Sequence, residues 1–459
     1  MKSLYAFCAN SNVIRRIYFA AKYWVIDPAF RGLHALIPMR AFDLDEAVLA
    51  RAESILLRAI ALGKEGRFKV VPEFISVSAT ANCNLKCVMC PGHTSMSGPI
   101  LSVDEAEMLF SSLVDKDSNF GHPKLLDMTA GEPTLNPNLG PIYSRFKELF
   151  PDAKISMISN ATIPVRGRIR EAFEHADRIG LSMDGATAET YERIRKGSIY
   201  KNVVRNVRDI AEMKKLDVNC ENLQLMFVAM DQNIHELPEM VRLAHSLGVP
   251  GLFAQESEVR EKTPFNDEGQ NVSLSLSKAE LAPFVSEAKA EAERLGISLS
   301  LTSRFQEALE PSQPTFLQPA VEQNTESPAS LAVAIKTCKV PWMHSPRISQ
   351  SIDGTYPTNV CCHMPNEFRS DSIKKRKEFV GKSINEIFNS EFYWNIRSGL
   401  LDGTLANDAC EGCQYLQMTQ WTVPELRALE SAIEAVEPCS PTMKGLPEES
   451  NSCVAIVSK

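Results

Sequence analysis

Three cysteines, Cys83, Cys87 and Cys90, are separated by three and then two residues. Thiolates so close in the chain can wrap one compact metal centre. Zinc would need a fourth Cys or His to close its shell. No fourth Cys or His is spaced to complete that shell around the first set, and the nearby His93 follows a Pro-Gly turn. Three cysteines on a four-iron cluster leave one iron open, as a reactive metal site requires. A second set follows at Cys338, Cys361, Cys362, Cys410 and Cys413, while Cys8, Cys220, Cys439 and Cys453 are scattered. The second set has enough thiolates for a further cluster or for a structural zinc ion. The chain opens without a signal peptide, and no apolar run reaches the roughly 18 residues of a membrane span. The expectation is therefore a cytoplasmic, reducing setting, in which clustered cysteines mean metal or catalysis rather than disulfides.

The elements around the first set place it. Short apolar, β-branched runs alternate with helical segments from residue 73 onward. The strand candidates are Phe74–Thr80, Lys124–Thr129, Lys154–Ile158, Arg178–Met183, Leu223–Ala229 and Gly251–Gln255. Helix starts carry capping signals, with Ser102 before Glu105, Asn233 before Glu236 and Ser277 before Glu280. Gly248 suits the residue after a helix end. Six β-α units in succession predict an α/β fold, a parallel sheet curled into a partial (β/α)6 barrel, with a flat doubly wound sheet as the alternative. The first cysteine set then lies at the C-terminal end of the first strand, where barrel enzymes place their chemistry.

The barrel pattern ends near residue 305. Pro311, Pro314, Pro319 and Pro328 mark a linker at 306–330, and residues 331–425 hold the second cysteine set. Residues 1–72 read as a helical segment, amphipathic from Asn12 to Ile26, with a second helix from about Leu44 to Leu62. Residues 426–459 read as a tail, with disorder expected beyond about 437, where Pro438, Pro441 and Pro447 interrupt a polar sequence. The 49 basic and 57 acidic residues give a net charge of −8. That balance argues against general nucleic-acid binding, and the basic run Lys374–Lys377 reads as a solvated helix face.

Cys-x-x-x-Cys-x-x-Cys after a first barrel strand resembles the radical S-adenosylmethionine (radical SAM) superfamily. Further matches fall at the ends of later strands in the family's order: Ala130-Gly131-Glu132-Pro133, Ser159-Asn160-Ala161, and Leu181-Ser182-Met183-Asp184-Gly185 followed by Tyr191 to Arg195. The resemblance covers roughly residues 73–260. It implies a [4Fe-4S] cluster on Cys83, Cys87 and Cys90, with S-adenosylmethionine bound at Gly131, Glu132, Asn160, Ser182, Asp184 and Arg195. Glu132 would meet the amino group, Ser182 and Asp184 the ribose, and Arg195 the carboxylate. Two departures stand out: Ala161 replaces the family's Gly, and Val88 takes a position usually aromatic.

The second set is similar to the C-terminal extensions called SPASM and Twitch. That likeness implies a second, auxiliary [4Fe-4S] cluster on Cys338, Cys361, Cys410 and Cys413, with Cys362 as the rival of Cys361. The implied activity is reductive cleavage of S-adenosylmethionine to a 5′-deoxyadenosyl radical, which abstracts a hydrogen atom from an organic substrate. A sugar- or cyclitol-like molecule or a peptide would be oxidised, epimerised or cross-linked, with flavodoxin or ferredoxin as electron donor. Cys220 is a candidate hydrogen-atom donor of the kind an epimerase needs. The alternative is a non-catalytic iron–sulfur electron carrier or scaffold, which would need no ribose and methionine pocket.

Overall fold

The computed structural model describes residues 46–90, 98–114, 117–215, 217, 220, 222–257, 272–309, 340–343, 382–402, 421 and 423–437. The elements in chain order are α1 (Glu46–Lys64), β1 (Phe74–Ser76), β2 (Lys86–Cys87), α2 (Val103–Ser111), β3 (Leu125–Asp127), α3 (Leu139–Leu149), β4 (Lys154–Ser159), α4 (Arg168–His175) and β5 (Arg178–Ser182). Next come α5 (Ala188–Ile194), β6 (Arg195–Lys196), α6 (Tyr200–Lys214), β7 (Asn222–Ala229), α7 (Leu237–Leu247), β8 (Gly251–Glu256), α8 (Lys278–Leu295), β9 (Ser298–Leu301) and α9 (Ser303–Ala308). The chain continues through α10 (Val340–Met343), α11 (Ile384–Phe388) and α12 (Glu391–Leu401) to α13 (Val423–Val436). No helix among the described residues is long and apolar enough to cross a membrane.

The chain divides into two compact units, Val70–Gln420 and Met1–Lys69 with Trp421–Lys459. In the larger unit seven strands form one sheet in the order β1-β3-β4-β5-β7-β8-β9, every pair parallel. The sequential order means that each crossover returns to the next position without reversing direction. That is the singly wound pattern of a curled sheet, and it sets aside the doubly wound alternative. Buried and part-buried residues alternate along β4 and β7. The fully buried set, including Ile155, Met157, Leu225 and Phe227, belongs to the same core as Tyr143 and Phe146 of α3, Val203, Val207 and Ile210 of α6, and Met240, Val241 and Ala244 of α7. These helical positions recur every three or four residues, the spacing of one buried helix face.

Six strands lie within a residue or a few of their expected positions. The seventh, β9, was not expected. Its sequence Ser-Leu-Ser-Leu is four residues long, lacks β-branched side chains and exposes both serines at the sheet edge, so it gives little hydrophobic signal. Ser102 and Ser277 form the expected capping boxes, and Gly248 takes the expected left-handed conformation. Asn233 does not cap α7. It is fully buried, and its side chain donates to the carbonyls of Asp184 and Val228 and accepts from the Met230 N–H, joining the ends of β5 and β7. Glu236 in turn accepts from the backbone of Ala186 and Thr187 and from the Thr187 hydroxyl.

The smaller unit contains α1 and α13. Ile55, Leu56, Ala59 and Ile60 of α1 and Leu429 and Ile433 of α13 are buried. Arg51–Glu430 (3.0 Å) and Arg58–Glu437 (2.6 Å) flank that contact. Partly exposed pairs like these contribute little, so the apolar burial dominates. The residues at 423–436, expected to belong to the junction and start of a tail, thus form a helix. The amphipathic stretch from Asn12 to Ile26, the 306–330 linker, the basic run Lys374–Lys377 and the chain beyond 437 lie outside the described residues.

Candidate active site

Parallel strands bring the loops after β1, β3, β4 and β5 to one rim. The loop after β1 contains the three cysteines, and its base is closed by Asn82. The Asn82 side chain donates to the Gly98 carbonyl (3.0 Å) and accepts from the Gly98 N–H (2.6 Å). Thr80 pairs with Ile100 in an isolated bridge, and its hydroxyl donates to the Pro99 carbonyl. This latch was not anticipated, because the two halves of the contact lie 16 residues apart.

The cysteine loop is then tied to two neighbours. Gly131, after β3, has φ +57°, and a Cβ there would lie 2.3 Å from the Asn82 carbonyl oxygen. Only glycine lets the chain approach so closely, and the Glu132 N–H bonds the same carbonyl (2.7 Å). On the other side, Lys86 and Cys87 of β2 pair antiparallel with Lys196 and Arg195 of β6. The Val88 N–H continues the ladder to the Ile194 carbonyl (3.0 Å). The Val88 side chain is buried with Ile194, Met230 and Val272, so an aliphatic cluster occupies the place usually given to an aromatic.

Two polar networks converge on the thiols. In the first, Glu132 is 1% exposed and accepts four hydrogen bonds: from the Thr134 N–H (3.1 Å) and hydroxyl (2.5 Å), the Ser159 hydroxyl (2.8 Å) and the Asn160 N–H (2.7 Å). Burial raises its pKa, and these donors oppose the rise. Asn160 Nδ2 in turn reaches Asn84 Oδ1 (3.0 Å) and Cys83 Sγ (3.9 Å). Ala161 beside it has φ +54°, the only positive φ outside glycine among the described residues. The left-handed turn explains why a glycine would suit this place.

In the second network Asp184 is fully buried. Its Oδ1 accepts from the Val228 N–H (2.8 Å), and its Oδ2 lies 2.7 Å from Arg195 Nε. Arg195 is 8% exposed and directs Nη1 at Cys87 Sγ (3.7 Å). Asp184 and Arg195, expected to face the ribose and the carboxylate separately, are thus paired with each other. Burial raises the pKa of Asp184 against the opposing pull of Arg195. Burial also raises Cys83, and pushes Cys87 up to about 12 despite the guanidinium. A thiol held neutral in this way would have to lose its proton to bind a metal centre. Among the described residues no three Cys, His, Asp or Glu side chains converge on one point that would hold a single ion. The donor set itself fits an iron–sulfur cluster: three soft thiols on one loop, with an amide and a guanidinium donor directed at two of the sulfurs.

Ser182 ends β5 and stays partly exposed at this rim. Cys220 does not come to the rim. It lies two residues before β7, and β7 then runs roughly 23 Å to its C-terminal end, at about 3.3 Å per residue. Its thiol packs against the core at the opposite rim, which removes the geometric basis for a hydrogen-atom donor. Cys338, Cys361, Cys362, Cys410, Cys413 and His93 lie outside the described residues.

Comparison with known proteins agrees with this geometry. Residues 77–244 match the family model described as the Radical SAM superfamily. A probable GTP 3′,8-cyclase of Methanococcus maripaludis is 26% identical over 180 residues, covering 38% of this chain and 55% of the relative. An AdoMet-dependent heme synthase of Methanosarcina barkeri is 28% identical over 181 residues, covering 39% and 48%. The chain thus spans about half the length of the curated relatives it matches. Among solved structures, Streptococcus suis SuiB bound to S-adenosylmethionine superposes with a TM-score of 0.51 at 13% identity, covering 80% of this chain and 79% of that one. SuiB bound to its precursor peptide SuiA gives the same score at 14% identity, covering 80% and 76%. These last likenesses concern the fold.

Proposed function

We propose that this radical SAM enzyme holds its catalytic cluster on Cys83, Cys87 and Cys90 and removes a hydrogen atom from an organic substrate, either a peptide or a sugar- or cyclitol-like small molecule. The single observation that carries the reading is the convergence on the cysteine loop of Asn160 from the loop after β4 and Arg195 from β6, each directed at a thiol sulfur. When bound, the cluster and S-adenosylmethionine supply the one-electron chemistry and the adenosyl radical.

The chain's own residues do the positioning. Glu132 holds the loop after β4, so that Asn160 stays against Cys83. Asp184 holds Arg195 against Cys87, and the positive charge offsets part of the cost of a buried thiolate there. We assign Glu132, Asp184 and Arg195 to these roles rather than to direct contact with the cofactor. The partly exposed Ser182 and the backbone at Gly131 meet the cofactor. An electron carrier or scaffold would need none of this ordered rim beside its cysteines. A second cluster on Cys338, Cys361 or Cys362, Cys410 and Cys413 completes the proposal, with flavodoxin or ferredoxin as the electron source. The relatives named as a GTP 3′,8-cyclase and a heme synthase support radical chemistry on small molecules, and the fold shared with a protein solved with its precursor peptide supports a peptide.

The test is anaerobic reconstitution of the full chain, followed by reduction with S-adenosylmethionine present. The expected products are 5′-deoxyadenosine and methionine, with about eight irons per chain, the content of two cubane clusters. The C83A/C87A/C90A variant should keep about four irons and form no 5′-deoxyadenosine. Cleavage retained in that variant would overturn the catalytic assignment. About four irons with one zinc in the intact chain would overturn the second cluster alone.

A further inference from the structure

Asn84 follows Cys83 in the chain, and Thr162 lies two residues beyond Asn160. Neither has a part in the positioning described so far. With Asn160 they close a ring of side-chain hydrogen bonds. Asn84 Nδ2 donates to the Thr162 hydroxyl oxygen (2.8 Å), that hydroxyl donates to Asn160 Oδ1 (2.6 Å), and Asn160 Nδ2 donates back to Asn84 Oδ1 (3.0 Å). Each member gives one bond and takes one, so the three dipoles run head to tail and polarise one another.

One backbone group fixes the sense of the whole ring. The Thr162 N–H also meets Asn160 Oδ1 (3.0 Å). A peptide N–H can only donate, so the amide atom facing it must be the oxygen. The NH2 of Asn160 then faces the other way, where it meets Asn84 Oδ1 and, 3.9 Å away, Cys83 Sγ. Asn84 must turn its oxygen to that NH2 and its own NH2 to Thr162. The main chain on both sides is tied as well. The Asn160 N–H donates to Glu132 (2.7 Å), and the Ala161 carbonyl accepts from the fully buried Asn206 of α6 (2.8 Å). Asn160 is only 6% exposed, so little water competes for its amide.

We infer that this ring sets the reduction potential of the cluster on Cys83, Cys87 and Cys90, with Asn84 and Thr162 as positioning residues that keep the Asn160 amide N–H on the Cys83 sulfur. The inference rests on the reading that those three cysteines hold a cluster. A hydrogen-bond donor at a ligating sulfur stabilises the reduced, more negative state and raises the potential. Polarisation around the ring makes Asn160 a stronger donor than a lone amide. The ring at Cys83 is neutral, whereas Arg195 brings a positive charge to Cys87. The two act in the same sense on different sulfurs, so the share of the ring can be measured with the charge left in place.

The experiment uses the anaerobically reconstituted full chain. Iron content is measured first, and then a redox titration is followed by electron paramagnetic resonance. The signal read is the one missing from the C83A/C87A/C90A variant. Asn160→Ala should keep the irons and make reduction about tenfold less favourable, a fall of about 59 mV for one electron. Thr162→Val keeps the shape of the side chain and removes only the hydroxyl, so it should shift the potential the same way by a smaller amount. Thr162→Ser restores the hydroxyl and should return the original value. If Asn160→Ala loses its irons, the Thr162 pair decides alone. An unchanged potential in Asn160→Ala would overturn the inference and leave the cluster reading standing. A shift in Asn160→Ala with none in Thr162→Val would overturn the part assigned to the ring. Equal shifts, or equal loss of iron, in Thr162→Val and Thr162→Ser would reduce Thr162 to a packing role and overturn it too. If the triple cysteine variant lacks no signal, the cluster reading itself fails, and this inference with it.

Discussion

Arg195 stands directly across the β2–β6 pairing from Cys87, with Nη1 3.7 Å from the sulfur and Nε 2.7 Å from Asp184. One buried cation therefore joins the end of β5 to the cysteine loop. Backbone pairing fixes the register, and the ion pair fixes the direction of the guanidinium. Removing either partner strands the other in a site with little access to water.

Asp184→Ala should accordingly cost about 3–5 kcal/mol of folding stability, the range for breaking a buried pair from one side. Urea unfolding of the metal-free chain, followed by far-ultraviolet circular dichroism, measures it. A loss below about 1 kcal/mol, near the value of an exposed pair, would show that the pair is solvated and would remove Asp184 from its positioning role.

Glu132→Gln should cost at least about 2 kcal/mol, because an amide group cannot accept all four donors and leaves buried ones unpaired. The loss should show as a lower melting temperature together with faster hydrogen exchange at the Asn160 N–H. An unchanged exchange rate at that amide would contradict the arrangement around Glu132.

Ala161→Gly should stabilise the chain by about 0.5–1 kcal/mol, since the left-handed conformation costs alanine more than ordering costs glycine. Ala161→Val, with a β-branched side chain at φ +54°, should destabilise it. Two urea midpoints moving in the same direction would refute the strain argument.

Asn82→Ala should open the base of the cysteine loop. It removes two hydrogen bonds to Gly98, worth about 1–3 kcal/mol in total at roughly 0.5–1.5 kcal/mol each. The Gly98 N–H should lose its protection from hydrogen exchange, and reconstituted protein should lose iron faster to a chelator. Retained protection at Gly98 would show that the Thr80–Ile100 bridge alone closes the loop.

Cys220→Ala should leave 5′-deoxyadenosine formation and solvent deuterium incorporation into product unchanged, because the thiol sits at the rim opposite Cys83, Cys87 and Cys90. Loss of deuterium incorporation in this variant would restore it as a hydrogen-atom donor.

The sequence by itself determined what is local and periodic. The spacing of Cys83, Cys87 and Cys90 is covalent. The order of Gly131-Glu132, Ser159-Asn160 and Ser182-to-Arg195 along the chain becomes an order around one rim once alternating strands and helices are read as parallel. The capping boxes at Ser102 and Ser277 were legible because each is complete within four residues. Only the tertiary structure decided what each polar side chain faces. Whether Asp184 meets a ligand or Arg195, whether Glu132 points outward or accepts four internal bonds, and whether Asn233 caps a helix or joins two strands depend on residues distant in sequence, brought together by sheet register. The two-residue β2–β6 pairing and the edge strand β9 were hidden for the same reason: neither has hydrophobic periodicity enough to declare itself, and both exist because a neighbouring backbone offers hydrogen bonds. Arg397 was equally invisible. An arginine in a helix ordinarily reads as a surface charge, and it took the packing of Trp342, Phe388, Tyr393 and Trp394 around it to exclude water and leave both Nη groups without an acceptor.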